Sequence, residues 1–204
     1  MRGEWVIQAP NLRSLTIISK ACYRLQIGAL TRLSDATIKM EYYVREHDFV
    51  NLIAGVAHVR KLTLTCMLQP GYADGSLLET LPCTFDNLRS FILLTQFGEM
   101  DAILSTFSLL RNAPNLEELE IEIIGEGEQE IEANTEYQNT RWTDGMCASL
   151  QVVKMNGIGC LSNEMCFIEL ILSKATVLRT MSISLGVMRS KSKERALNEL
   201  LNTY

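Results

Sequence analysis

Chemistry in this 204-residue sequence could reside in two histidines, six cysteines and a short alternating run of glutamates. A thiol–imidazole dyad needs a histidine and a cysteine in contact. His58 and Cys66 bracket one apolar segment, but a buried histidine at a helix end is the plainer reading of His58. Neither His47 nor His58 has a CxxC or a second histidine nearby, so zinc-ligand spacing is absent and no metal is expected. Cys22, Cys66, Cys83, Cys147, Cys160 and Cys166 follow no framework spacing. They read as reduced thiols serving as small core hydrophobes. No Gly-x-Ser-x-Gly, phosphate-cradling glycine loop or HExxH occurs. Gly125-x-Gly127 lacks the third glycine and the following helix of a dinucleotide site. No catalytic or cofactor-binding residue is therefore expected, and the chain reads as a non-enzyme. What remains is recognition.

The elements that would present a recognition surface are set by a pattern, Leu-x-x-Leu-x-Leu with conservative swaps. It runs as Leu12/Leu15/Ile17, Leu33/Ala36/Ile38, Val59/Leu62/Leu64 and Leu88/Phe91/Leu93, then Leu116/Leu119/Ile121, Leu150/Val153/Met155 and Leu178/Met181/Ile183. First positions step by roughly 21, 26, 29, 28, 34 and 28 residues, close to the leucine-rich-repeat range of about 20–29. Each copy reads as a strand whose last two apolar residues point inward at period two. Between copies lie helical patterns. Phe49, Leu52, Ile53 and Val56 follow Asp48 as N-cap, and Ile103, Leu104, Phe107 and Leu110 end at Asn112-Ala113-Pro114. Phe167, Leu170, Ile171 and Lys174 form a third. The expected fold class is α/β, a leucine-rich-repeat solenoid with a curved parallel sheet and helices on its convex side.

One stretch interrupts the repeats. Residues 125–141 are acidic, polar and poor in apolar side chains, which predicts a linker or loop. The ligand and glycine spacing of a calcium loop is missing there. The expected organisation is a repeat region over 1–124, the linker over 125–141, and a C-terminal unit over 142–204 that continues the solenoid. Val187 to Tyr204 reads as a basic amphipathic helix, docked as a terminal cap because its apolar face is short for a membrane surface.

Composition narrows the partners. A formal net charge of −5 argues against a general nucleic-acid binder. No apolar run of membrane-spanning length exists, and the residues after Met1 are too short an apolar stretch for a signal peptide. Cytoplasm or nucleus is the expected location. Only Met1 to Pro10 could cover the edge of the first strand, so marginal stability or self-association through that strand is expected.

Residues flanking the inward pairs face the other side of the sheet. Thr63 and Thr65, Ile92 and Leu94, Glu118, Glu120 and Glu122, and Lys154 are the candidate protein-binding residues. Ile92 and Leu94 put apolar side chains where water is expected, and the three glutamates stack like charges on one strand face. Together they suit a partner with an apolar anchor beside Lys or Arg. Two alternatives stay open: the glutamates as a solvated face, and Ile92 and Leu94 lying beneath a loop.

The C-terminal third carries a further signal. Trp142, Cys147, Ser149, Leu150, Val153, Gly157, Ala175 and Leu178 occur in an order that resembles the FBD domain of plant F-box/leucine-rich-repeat proteins. Ala9-Pro10-Asn11-Leu12 and Ala113-Pro114-Asn115-Leu116 look like that family's repeat boundaries, so the resemblance covers nearly the whole chain. Thr176 stands where the family favours proline, and no proline precedes Cys147. The resemblance implies the substrate-recognition region of a ubiquitin-ligase adaptor. In the family an F-box docks onto the linker subunit of a cullin-RING ligase while the repeats hold the substrate. No F-box precedes the first motif in this sequence, so a ligase link is expected only if one lies upstream. The alternative is a stand-alone leucine-rich-repeat sensor or decoy without a ligase connection. A small molecule on the concave face, as in hormone receptors of this type, stays open too.

Overall fold

The computed structural model describes residues 5–20, 25–28, 30–40, 46–65, 81, 83–95, 97, 100–124, 145–186, 195, 197, 198 and 200–202. The expected linker over 125–141, Trp142, Cys22, Cys66 and the glycine pair Gly125 and Gly127 lie outside them.

The last two residues of all seven apolar triplets fall on strands of one sheet. These strands are β2 (Ser14–Ser19), β4 (Asp35–Met40), β5 (Lys61–Thr65), β6 (Ser90–Thr95), β7 (Glu118–Ile123), β8 (Val152–Ile158) and β9 (Thr180–Leu185). They pair in parallel in the order β2-β4-β5-β6-β7-β8-β9, so the sheet is open, with β2 and β9 at its edges. The register aligns the motif with itself at every step. One column runs Leu15, Ala36, Leu62, Phe91, Leu119, Val153, Met181, and the next runs Ile17, Ile38, Leu64, Leu93, Ile121, Met155, Ile183. Every member on the five inner strands is buried, and those on β2 and β9 are half-buried.

The first residue of each triplet has its own task. The N–H groups of Leu12, Leu33, Val59, Leu88, Leu116, Leu150 and Leu178 each donate to the carbonyl three residues earlier. Seven matching turns therefore feed the seven strands. The carbonyls accepting those bonds belong to Ala9, Leu30, Val56, Phe85, Ala113, Cys147 and Ala175, all buried except the half-buried Ala9. A fourth apolar position, three residues ahead of the triplet, thus belongs to the repeat.

Helices cover the face that carries the columns. Among the described residues they are α1 (Glu46–Gly55), α2 (Met100–Arg111) and α3 (Ser162–Lys174). Leu52 and Ile53, Phe107 and Leu110, and Phe167, Ile168 and Ile171 join the strand columns in one hydrophobic cluster. Parallel strands need such crossovers, since no tight turn can reverse the chain twice. Two expectations shift. Asp48 lies within α1 and does not cap it. On α3 the buried line is Glu164, Phe167, Ile168 and Ile171, while Leu170 is half-buried and Lys174 exposed. Burying Lys174 would strand its ammonium without a partner. Glu164 is buried because its Oε2 accepts the Leu161 backbone N–H at 2.8 Å, satisfying one of the helix's free donors.

Where the repeat is short, a strand replaces the helix. β1 (Trp5–Ile7) and β3 (Leu25–Ile27) pair with each other in a separate two-stranded parallel sheet. The stretch between β2 and β4 is the shortest connection in the large sheet, and β3 lies within it. α1 packs on β3 through Gly55, where an added Cβ would lie 2.7 Å from Ile27 Cβ. Near the other end Phe97, Phe107 and Phe167 form one aromatic group, with ring centroids 5.1 and 5.6 Å from Phe167. That group ties α3 to α2 and to the end of β6. β7 also pairs with β8 directly, so the sheet is continuous between residues 123 and 152. Arg195, Leu197, Asn198, Leu200 and Leu201 are helical; Leu197 is buried and Leu200 packs on the core, as expected of a docked terminal helix.

β8 contains a bulge at Gly157, between the pairs Asn156–Ser184 and Ile158–Leu185. Gly157 has φ +82, and a Cβ there would sit 2.8 Å from the Ile123 carbonyl oxygen. Gly145 has φ +87 with nothing within 4 Å of an added Cβ. Gly145→Ala should therefore cost only the left-handed conformation, about 1 kcal/mol. Gly157→Ala should cost at least about 2 kcal/mol more through the backbone contact. Denaturant titration of the two variants checks this, and equal losses of stability would rule the contact out.

Candidate recognition face and N-terminal rim

The side chains between the buried columns point away from the helices. Strand pairing places them in three rows. The middle row is Thr16, Thr37, Thr63, Ile92, Glu120, Lys154, Ser182, and the last is Ile18, Lys39, Thr65, Leu94, Glu122, Asn156, Ser184. Thr63, Thr65, Ile92, Leu94, Glu118, Glu120, Glu122 and Lys154 therefore occupy four adjacent strands of one face. The register brings all eight together.

Their exposures differ. Glu118, Glu122 and Lys154 are exposed, whereas Thr63, Thr65, Ile92, Leu94 and Glu120 are half-buried. The Thr65 hydroxyl is buried and has no hydrogen-bond partner among the described residues. Glu120 sits beside Lys154 in register, and its Oε1 accepts a hydrogen bond from Asn156 Nδ2 at 3.4 Å. Glu118, Glu122 and Lys154 form no ion pair among the described residues. Their charges are solvated and free to engage another molecule. At the β2 edge Ile18 is 65% exposed, the most open large apolar side chain described. The face thus runs from an apolar edge, past Lys39 and Lys61, across Ile92 and Leu94, to the three glutamates.

A second feature is built by residues beside the first position of each motif, which reading for apolar residues alone passes over. His58 precedes Val59, Asn87 precedes Leu88, and Asn115 precedes Leu116. His58 Nε2 donates to the Leu30 carbonyl at 2.8 Å. Asn87 Nδ2 donates to the His58 carbonyl at 3.3 Å, and Asn115 Nδ2 to the Asp86 carbonyl at 2.9 Å. Each side chain reaches back to the preceding turn, so the turns are bonded to one another along the N-terminal rim. Arg89 extends the ladder, donating to the Asn115 carbonyl at 2.9 Å and pairing with Glu117 at 3.3 Å. Aligning the motif copies on their first residue would expose this polar position. His58 is half-buried in the turn after α1, where a buried helix-end histidine is expected, and Cys66 lies outside the described residues.

Cys83, Cys147, Cys160 and Cys166 form no disulfide. Cys147 is 3% exposed and opens the turn into β8 with φ 61. Desolvation pushes its thiol up to about 12, and burial also raises that of Cys83, so neither supplies a thiolate near neutral pH. Among the described residues no three His, Cys, Asp or Glu side chains group to hold a metal. No described helix is long and apolar enough to cross a membrane. No family model, curated protein or solved structure matches the chain.

The Cys147 environment has a pH signature. Above its ordinary value of 9.0 the unfolded chain loses the thiol proton while the folded chain keeps it up to about 12. The folded state then binds more protons, so stability falls as pH rises through that window, by up to about 1.4 kcal/mol per pH unit. Unfolding free energies of wild type and Cys147→Ala between pH 8 and 11 check this. The variant should lack this part of the alkaline slope, and identical slopes would contradict the assignment.

Proposed function

We propose that this chain is a protein-interaction module without catalytic activity, built as a leucine-rich-repeat solenoid whose curved sheet carries helices on its convex side. Its C-terminal unit resembles an FBD domain. The role that fits is the substrate-recognition region of an F-box/leucine-rich-repeat ubiquitin-ligase adaptor in the cytoplasm or nucleus.

The observation that supports this reading is the face of the sheet that no described element covers. Parallel sheets ordinarily have both faces buried. Here seven parallel strands are covered on one face by helices, while the opposite face alternates half-buried and exposed positions. A solenoid reconciles the two, because stacked repeats protect one face and leave the other as a continuous binding surface. On that surface Ile92 and Leu94 supply an apolar centre, and the adjacent glutamates supply a charged margin. A protein partner with an apolar anchor flanked by Lys or Arg complements this arrangement.

A double charge reversal, Glu118→Lys with Glu120→Lys, tests the assignment. Affinity capture with the full chain identifies partners, and each is then titrated against wild type and variant. Binding should weaken by on the order of tenfold or more, and the wild-type interaction should weaken with added salt. Glu118 is exposed and Glu120 half-buried, so the melting temperature should change little. Unchanged affinity in a normally folded variant would remove the acidic strand from the binding surface. Co-capture of the ligase linker subunit by a longer product carrying an upstream F-box tests the adaptor role separately.

A further inference from the structure

We propose that the N-terminal rim of the sheet holds a second site, separate from the strand face, that binds a phosphate monoester group. The site is a shallow groove of about 440 Å³ lined by Thr31, Arg32, His58, Arg60, Asn87 and Arg89 together with parts of the turn before β4. Its cations come from three successive repeats. Arg32 precedes Leu33, Arg60 follows Val59, and Arg89 follows Leu88. Backbone bonds hold these turns in line: Arg60 N–H donates to the Ser34 carbonyl at 2.8 Å, and Arg89 N–H to the Arg60 carbonyl at 2.9 Å.

The charge state of the groove sets it apart. Among the described residues no carboxylate lines it. Acids near it are already engaged: Glu117 by Arg89, Asp35 by the Ser34 hydroxyl, and Asp86 by the Thr84 hydroxyl. Arg32 and Arg60 make no hydrogen bond or ion pair with any described residue, so two guanidinium groups face solvent uncompensated. This occurs in a chain of net charge −5, where chance would favour a nearby carboxylate.

The donor set favours phosphate over carboxylate. A carboxylate brings one negative charge. Two unpaired guanidinium groups, with a third arginine held beside them, carry more positive charge than that neutralises. A phosphate monoester offers three acceptor oxygens and a charge of roughly −1.5 to −2 at neutral pH, which matches two free arginines. The Thr31 hydroxyl and the remaining Asn87 amide hydrogen add neutral donors. Because the rim ladder already fixes His58, Asn87 and Arg89, little ordering is required on binding beyond Arg32 and Arg60.

The experiment titrates the full chain with phenyl phosphate, with benzoate and with a short neutral peptide carrying one phosphoserine. Readouts are the arginine side-chain NMR signals and the dissociation constants. Phenyl phosphate should shift Arg32 and Arg60 before Arg13 and Arg179, and should bind at least tenfold more tightly than benzoate. Arg32→Gln with Arg60→Gln should weaken phenyl phosphate at least tenfold while leaving the melting temperature unchanged, because both side chains are exposed. A phosphopeptide binding tenfold more tightly than phenyl phosphate supports the site and identifies a phosphorylated protein as the source. Equal affinities support the site and identify a small phosphate ester. Equal binding of benzoate and phenyl phosphate, shifts spread evenly over all arginines, or undiminished binding by the double variant would each overturn the proposal. Because it does not use the strand face, the Glu118→Lys/Glu120→Lys variant should bind phenyl phosphate as wild type does.

Discussion

The fold depends on one constraint, the in-register pairing of the apolar columns across seven strands. Side chains on a strand alternate faces, so a slip of one residue would send a whole column to water and bring charges into the core. Glu118, Glu120 and Glu122 make that cost large on β7, since burying three carboxylates is prohibitive. The turns reinforce the same register. Each first-position N–H closes onto a carbonyl three residues back, and in six successive steps one rim carbonyl accepts two N–H groups from the next strand. Strand start and strand register are thus held together at the same rim.

That constraint leaves the molecule with two distinct surfaces. The strand face is where the alternation puts everything that is not column, and its chemistry changes from strand to strand with little effect on packing. The rim is different, because its side chains are part of the turn bonding. His58, Asn87 and Asn115 bond successive turns to one another, and Arg89 continues the line to Glu117. Variation at the rim is therefore tolerated where a side chain is free, as at Arg32 and Arg60, and limited where it is a rung.

Continuity through the chain rests on packing as much as on pairing. Phe97 and Phe107 meet the sequence-distant Phe167 in one aromatic group. Such tilted contacts add about 0.5–1.5 kcal/mol beyond area burial. At the start of the chain the same need to cover the columns is met differently, by β1 and β3 in place of a helix. Repeat length decides which element can serve.

By itself the sequence determined the strands, their inward residues and the eight face residues that lie together, because period-two alternation and repeated spacing are local properties. Val153 and Met155, or Ile92 and Leu94, can be assigned to opposite faces without knowing any neighbour. Helices were legible through the apolar spacing of Phe107 and Leu110 and the stop at Pro114, though the buried line of α3 moved to Glu164 and Ile168. Only the tertiary structure decided that β3 would replace a helix, that Glu164 would be buried, and that the rim ladder would form. Those outcomes depend on the length left between strands and on which carbonyl or carboxylate stands opposite a donor, and neither quantity is carried by one segment alone.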